Sequence, residues 1–373
     1  MNIRLFYHSL LSDWNHGNAH FLRGITSELL KRGHDVEVYE PRNGWSYSNW
    51  IRENGRQGVE EFKKTYPLLD SGFYDDSTDF SALLKDADLV IVHEWTSAEL
   101  IKHLGDLAKK HPFRLLFHDT HHRSASSPED IEKMDFSGYD GVLAFGQVVR
   151  EIYIRNQWVK QAWVWHEAAD TSVFKPVAGA GSEGDLVWIG NWGGDERTDE
   201  LMEFLIRPVQ KLGLKARMYG VLYPEEARDL LKKAGIDYGG YLPSCRVPEV
   251  LSGFKCTVHI PRKTYTQSLP GIPTIRPFEA MACGIPMISA PWKDTENLFR
   301  ADRDFKMVQN GEEMTRTIEE LLQNPGMASS MAQNGLETIQ KHHTCSHRVD
   351  ELMEIYSSLS AEPEQVHTNS LSN

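Results

Sequence analysis

The chain has 373 residues, 40% hydrophobic and 25% charged, which suits two or three compact units and excludes a disordered, collagen-like or disulfide-stapled chain. Its formal charge of −13 repels phosphate backbones and anionic lipid, so nucleic acid is not an expected partner. Four cysteines, Cys245, Cys256, Cys283 and Cys345, form no CxxC pair, which argues against a disulfide framework or a structural zinc site and for a reducing, cytoplasmic setting. The N-terminus begins as a strand without a cleavable apolar segment, and no run approaches the ~20 apolar residues of a membrane span.

In chain order, short β-branched or aromatic runs alternate with segments of helical period, the pattern of βαβ units and a mostly parallel sheet. A strand is expected at Arg4–His8, then a loop, then a helix on which Phe21, Ile25 and Leu29 recur every fourth residue until Gly33. A strand at Val36–Tyr39 closes at Pro41, and further strands are expected at Leu89–His93, Leu115–His118, Val142–Phe145 and Trp163–Trp165. Thr96-Ser97-Ala98-Glu99 reads as a capping box and Ser127-Pro128 as a helix start.

After Phe174-Lys175-Pro176 the Gly/Ala/Ser-rich residues 177–184 read as a linker. A second series of strands is expected at Leu186–Ile189, Ala216–Tyr219, Thr257–Ile260, Met287–Ser289 and Phe305–Val308, with helices at Glu196–Leu212 and Glu225–Ala234. The expected organisation is therefore α/β, with two Rossmann-like parallel-sheet domains: residues 1–176 and 185–343 facing an interdomain cleft. A helix over 344–360 is placed to cross back to the first domain, and the polar residues 361–373 read as a disordered tail.

Ligands of such sheets bind beyond the carboxyl ends of the strands. No GxGxxG follows a strand, which weakens a dinucleotide-dependent dehydrogenase. The run His118-Asp119-Thr120-His121-His122 invites a metal, but it follows a strand and lacks an evident third ligand, so a polar loop lining the cleft is the better reading. Trp163, Trp165 and Trp188 fall in strands and read as core, whereas Trp14 and Trp192, in loops, are candidates for substrate contact.

The most informative stretch is His259-Ile260-Pro261-Arg262-Lys263, a loop, and then Pro273-Thr274-Ile275 followed by Arg276-Pro277-Phe278-Glu279-Ala280-Met281-Ala282-Cys283-Gly284-Ile285-Pro286-Met287-Ile288. Residues 276–288 resemble the donor-site signature of GT-B glycosyltransferases, in particular the group related to the spore-maturation protein CgeB. His166-Glu167-Ala168-Ala169-Asp170 through Pro176 is similar to that family's interdomain crossover, and Trp14-Asn15-His16-Gly17-Asn18 to the loop after its first strand.

The resemblance implies a hexosyltransferase-like enzyme moving a sugar from a nucleoside diphosphate to a hydroxyl-bearing acceptor, carbohydrate or other small molecule. The nucleotide sugar is then a co-substrate, and neither cofactor nor metal is implied. Glu279, in the first turn of a helix beginning near Pro277, would accept hydrogen bonds from the ribose hydroxyls. The backbone N–H groups of Thr274, Ile275 and Arg276 would point at the diphosphate, with Arg262 and Lys263 adding charge. By the same matching Gly190, Asn191 and Arg197 contact phosphate, and Tyr241 and Leu242 pack the nucleobase. Trp14, Asn15, His16 and Gly17 would line the acceptor side.

Many retaining GT-B enzymes carry a second glutamate eight positions earlier, where this chain has Gly271. A retaining course is nonetheless the favoured one. An inverting one needs a general base, for which Asp13, His118, Asp119 and Glu94 are the candidates. Rival readings are a GT-B-fold epimerase acting on the nucleotide sugar and a non-catalytic nucleotide-sugar-binding protein.

Overall fold

The computed structural model describes residues 1–179 and 181–360, and in it every strand runs parallel to its neighbours. The first sheet comprises β1 (Asn2–Phe6), β2 (Asp35–Pro41), β3 (Ser71–Tyr74), β4 (Leu89–His93), β5 (Arg114–Asp119), β6 (Gly141–Ala144) and β7 (Ala162–Val164), in the order β3-β2-β1-β4-β5-β6-β7. The second comprises β8 (Gly184–Ile189), β9 (Ala216–Tyr219), β10 (Ile236–Tyr238), β11 (Phe254–His259), β12 (Met287–Ser289) and β13 (Lys306–Met307), in the order β10-β9-β8-β11-β12-β13. All five residues of β4 are buried, as a strand covered by helices on both faces requires. Both sheets reverse their strand order beside the first strand, at β1/β4 and at β8/β11, and a crevice opens at such a switch point.

The helix Ala19–Lys31 buries Phe21, Leu22, Ile25 and Leu29. Against it lies the last described helix, Cys345–Ser360, which returns from the second half. Arg32 bonds Asp350 at 2.6 Å and Ser346 Oγ at 2.8 Å, and Trp165 Nε1 donates to the Arg348 carbonyl at 2.8 Å. Backbone bonds from Ala169 N to His343 O (2.9 Å) and from Cys345 N to Ala169 O (3.1 Å) tie the crossover to the start of that helix.

Several local expectations change. β3, β10 and the helix Trp45–Thr65 were not foreseen: the strands are short edges whose formation depends on a neighbour, and the helix is kinked at Gly55, where φ is +55°. The helix expected over 196–212 begins at Thr198 and widens into a π turn at Met202–Ile206. Pro208, one residue into the next helical stretch, supplies no N–H and crowds the turn before it. Ser97, not Thr96, caps the helix Ala98–Ala108, its side chain accepting from Leu100 N. β8 starts at Gly184, within the expected linker, and residues 361–373 lie outside the described residues. Among the described residues no helix is long and apolar enough to cross a membrane, and all four cysteines are free.

Candidate active site

A cleft of about 380 Å³ lies between the two sheets, lined from segments that follow β1, β4, β5, β8, β9 and β11 and from the helix Ile275–Ala282. Parallel topology explains the convergence, because every such segment leaves a sheet on the same side.

On the second-sheet side the helix Ile275–Ala282 starts two residues earlier than the sequence suggested, and Thr274 caps it with φ +56°. Glu279 therefore sits in the second turn, not the first. Pro277 stands at the third helical position, where no intrahelical N–H bond is due. Glu279 is 2% exposed; one carboxylate oxygen lies 3.0 Å from His20 Nδ1, and the other pairs with Arg276. Burial pushes its carboxyl upward, but Arg276 and His20 outweigh that and hold it below the usual range.

Three guanidinium groups gather at this end of the helix. Arg276, Arg262 and Arg197 all line the cleft. Burial, and then the proximity of Arg262 and Arg276, bring Arg197 down to about 10. Its Nε finds no partner among the described residues, while Nη1 donates to the Ile260 carbonyl at 3.3 Å and the guanidinium stands 5.3 Å from the Trp188 ring centroid. Mutually repelling cations beside a helix N-terminus form a site for an anion. Arg262 is partly held by Glu196 at 2.9 Å. Lys263 is not part of the cleft: its ammonium bonds the Asp195 carbonyl at 3.0 Å and faces Asp199 and Glu200, because the acid-rich segment 195–200 draws it away.

Gly190 and Asn191 follow β8. An added Cβ at Gly220 would lie 2.0 Å from the Gly190 carbonyl oxygen, so the chain after β9 approaches the end of β8 this closely only because Gly220 has no side chain. Asn191 accepts from Val221 N at 3.2 Å and hydrogen-bonds Asn15 across the cleft. Tyr241 and Leu242 form one wall with Val221 and Leu251.

The first-sheet side differs more from expectation. Asn15, His16 and Gly17 line the cleft, but Trp14 does not: its indole donates to Glu53 at 2.8 Å and it is 7% exposed. Trp192 is likewise packed into the second core, its ring 5.6 Å from that of Tyr223. Trp188, read as core, is buried yet also faces the cleft.

Asp13 borders the cleft but is fully engaged, bonding Arg23 at 3.1 Å, Ser244 N at 2.7 Å and the Tyr241 hydroxyl. Burial raises its carboxyl, yet Arg23 and these bonds hold it low, so it is a clasp between the halves rather than a base. His118 turns into the core, where the Tyr7 hydroxyl meets Nδ1 and Trp165 covers it, and burial drops it to about 3. Asp119 is bonded by Tyr153 Oη at 2.9 Å and His121 N at 3.0 Å. Neither lines the cleft. The alternation of a strand decides this, since successive side chains leave opposite faces and the last residues of β5 fall under the loops.

Thr120 and His121, from the run read as a polar loop lining the cleft, do line this side, whereas sequence reading passed over His8, Trp45, His93 and Trp95 and named Glu94 only as one possible base. Glu94 is fully buried, bonded to Thr120 Oγ1 at 3.3 Å and to Arg123 at 3.1–3.2 Å. Burial and the neighbouring Asp119 raise its carboxyl, with Arg123 opposing. The His8 and His16 rings lie 3.8 Å apart and all four of their nitrogens lack partners among the described residues. Both imidazoles are kept neutral by burial, His8 at about 3. His16 was named through the resemblance of its loop, whereas the only sequence signal for His8 was its position just past β1.

Gly271 has φ +98°, and a Cβ there would meet Thr295 Oγ1 at 2.3 Å. No longer side chain fits at that position without a shift of the loop.

Residues 197–354 match a family model described as glycosyl transferase-like. No curated protein sequence matches the chain. Among solved structures, sucrose-phosphate synthase from Thermosynechococcus elongatus superposes with a TM-score of 0.66 at 14% identity, covering 96% of this chain and 99% of that one. HepE from Anabaena, in complex with UDP-glucose, gives 0.65 at 14% identity over 96% and 100% of the two chains. The β-glucosyltransferase of phage T4, with its UDP-glucose substrate, gives 0.63 at 14% over 96% and 99%. The shared fold is the GT-B arrangement of two Rossmann-like domains.

Proposed function

We propose that this protein is a metal-independent, cytoplasmic glycosyltransferase of the CgeB-like group, which moves a sugar from a nucleoside diphosphate bound on its second domain to an acceptor hydroxyl bound on its first. The observation that carries this reading is the cluster of Arg197, Arg262 and Arg276 at the amino end of the helix bearing Glu279. As the glycosidic bond breaks, the leaving diphosphate gains charge, and fixed cations and N–H dipoles aimed at it lower the barrier. A divalent ion does the same work elsewhere; here the guanidinium groups are placed to supply it. Glu279 is positioned to exchange its present partners for the ribose hydroxyls. UDP, present in complexes of HepE and the T4 enzyme, is the first nucleotide to try.

Thermal-shift titration with UDP, GDP and their sugars tests the donor site, since a ligand that binds only the native form raises the melting temperature. Transfer to an acceptor panel, set against conversion of donor alone to a new nucleotide sugar, separates this reading from an epimerase. Binding without turnover, in lysate as well as with purified components, would identify a sensor.

We read the acceptor as a carbohydrate. Trp45 and Trp95, 42% and 41% exposed, both stand near His8 at ring distances of 5.7 and 6.4 Å, and half-exposed indoles are platforms for sugar faces. Trp45→Ala and Trp95→Ala should each raise the acceptor KM roughly three- to tenfold while leaving the donor Kd unchanged; an equal loss of donor affinity would count against the assignment.

Retention is the course we favour, since Asp13, His118 and Asp119 are bonded or buried out of reach. Glu94 favours a second reading, inversion, because it alone of the four base candidates is a cleft carboxyl with a raised pKa. Under retention Glu94→Gln should keep kcat within about tenfold, whereas a general base would lose roughly 10²–10⁴-fold. The anomer of the product, read by NMR, checks the same point independently.

A further inference from the structure

Glu167 is a buried acid in the cleft that the transfer reaction as described does not use. It lies in the crossover after β7, is 3% exposed, and its Oε2 is buried without a hydrogen-bond partner among the described residues. The side chain lines the cleft together with Thr274, Arg276 and Glu279, and also a small adjoining hollow shared with Phe145, His166, Pro273, Thr274 and Phe278. The crossover cannot easily carry it elsewhere, because Ala169 is bonded to His343 and Cys345 at 2.9 and 3.1 Å. An unsatisfied carboxyl oxygen held in this way costs folding free energy, and its persistence beside an anion site asks what it meets there.

The charged and titratable groups around it come from every neighbouring element. The helix Ile275–Ala282 contributes Arg276 and Glu279, the segment after β4 contributes Glu94, the helix Lys263–Gln267 contributes Tyr265, and the first-sheet side contributes Asn18. Arg348 of the last described helix reaches only the Glu167 carbonyl, at 3.5 Å. Burial first, and Glu279 second, push the Glu167 carboxyl far above the ordinary range, with Arg276 opposing. Glu279 is held in the opposite direction. Two acids in one cleft are thus separated into an ionised acceptor and a neutral donor.

We propose that Glu167 acts as a neutral carboxylic acid that donates its O–H to an oxygen of the donor's diphosphate, so that donor binding requires a proton on this side chain. An ionised carboxylate in the same place would repel the diphosphate, and the bound anion in turn holds the proton on. The inference rests on the donor-site reading above. It assigns a binding residue and a pH limb that this reading does not contain.

The test uses UDP-glucose, or GDP-mannose if only guanine nucleotides bind, because neither diphosphate diester titrates near neutrality. Isothermal titration of the whole protein from neutral to alkaline pH should show wild-type affinity falling, with a limiting slope of tenfold per pH unit above the Glu167 pKa. Glu167→Gln keeps a neutral hydrogen-bond donor and should abolish that limb while retaining affinity at neutral pH within about threefold. Glu167→Ala should lose roughly three- to tenfold at neutral pH. If wild type and Glu167→Gln share the same pH profile, the proposal is overturned and the donor site stands. If no nucleotide or nucleotide sugar binds at any pH, the donor site itself fails and the proposal with it. Should the variants not fold, an infrared difference spectrum of the wild type with and without UDP-glucose reads the protonated carboxyl stretch directly; a band unaffected by the ligand would overturn the proposal.

Discussion

Glu279→Ala should lower donor affinity by roughly tenfold to a hundredfold, more than a single neutral hydrogen bond is worth, because a charged acceptor for two ribose hydroxyls is removed. The structure adds a cost in the free protein, since the carboxylate also holds His20 at 3.0 Å and pairs with Arg276. Glu279→Gln separates the two effects by keeping shape and one acceptor oxygen. Titration calorimetry with UDP and with uridine shows whether the loss lies on the ribose, in which case both ligands weaken together. An unchanged affinity for either would remove Glu279 from the donor site. The stability component has a definite sign with pH. The carboxyl is held low in the folded state, so its contribution is fully present above the unfolded value near ~4.3 and is lost as pH falls through the lower folded value. Wild type and Glu279→Gln should accordingly differ most in melting temperature near neutrality and converge in acid.

Arg23→Ala should cost about 3–5 kcal/mol of stability, the range for breaking one side of a buried charged network. The guanidinium donates to the Leu10 and Leu11 carbonyls at 2.8 and 2.7 Å, to Asp13 at 3.1 Å and to Ser244 Oγ at 2.7 Å. It also lies 4.9 Å from the Phe62 ring centroid and 5.5 Å from that of Tyr66. Ser244 and Tyr241 belong to the second half, so the same groups that fix the loop after β1 also fasten the two sheets together. Arg23→Lys keeps the charge but cannot reproduce the fork of donors and should recover only part of the loss. Asp13→Asn discriminates between roles: a clasp lowers the denaturation midpoint with kcat largely kept, whereas a base would lose kcat with the midpoint unmoved. Chemical denaturation of the three variants beside wild type gives the answer, and a wild-type midpoint in Arg23→Ala would refute the clasp.

The alternation of strands and helices, the two-sheet plan and the segment carrying Glu279 were all legible in the chain. Each is written in local periodicity or in a contiguous run whose chemistry does not depend on what lies across the cleft. The interior strands β4, β9 and β12 were legible to the residue, β4 most plainly, because its run Leu89-Val90-Ile91-Val92 has one stable place, inside a covered parallel sheet. Edge strands β3 and β10 were not, since a short edge forms only when a neighbour offers its backbone. Side-chain direction at the cleft was also beyond a linear reading. His118 stands near the end of β5 and Glu94 just past the end of β4, yet one turns into the core and the other into the cleft. Only the folded molecule settled which cations meet at the helix end, that Lys263 is drawn off by nearby acids, that Asp13 is consumed by Arg23 and Ser244, and that one carboxyl oxygen of Glu167 is left without a partner among the described residues in the cleft that Glu279 also lines. Burial and the field of neighbouring charges set the proton state of each of these groups, and both arise only when residues distant in the chain are brought within a few ångströms.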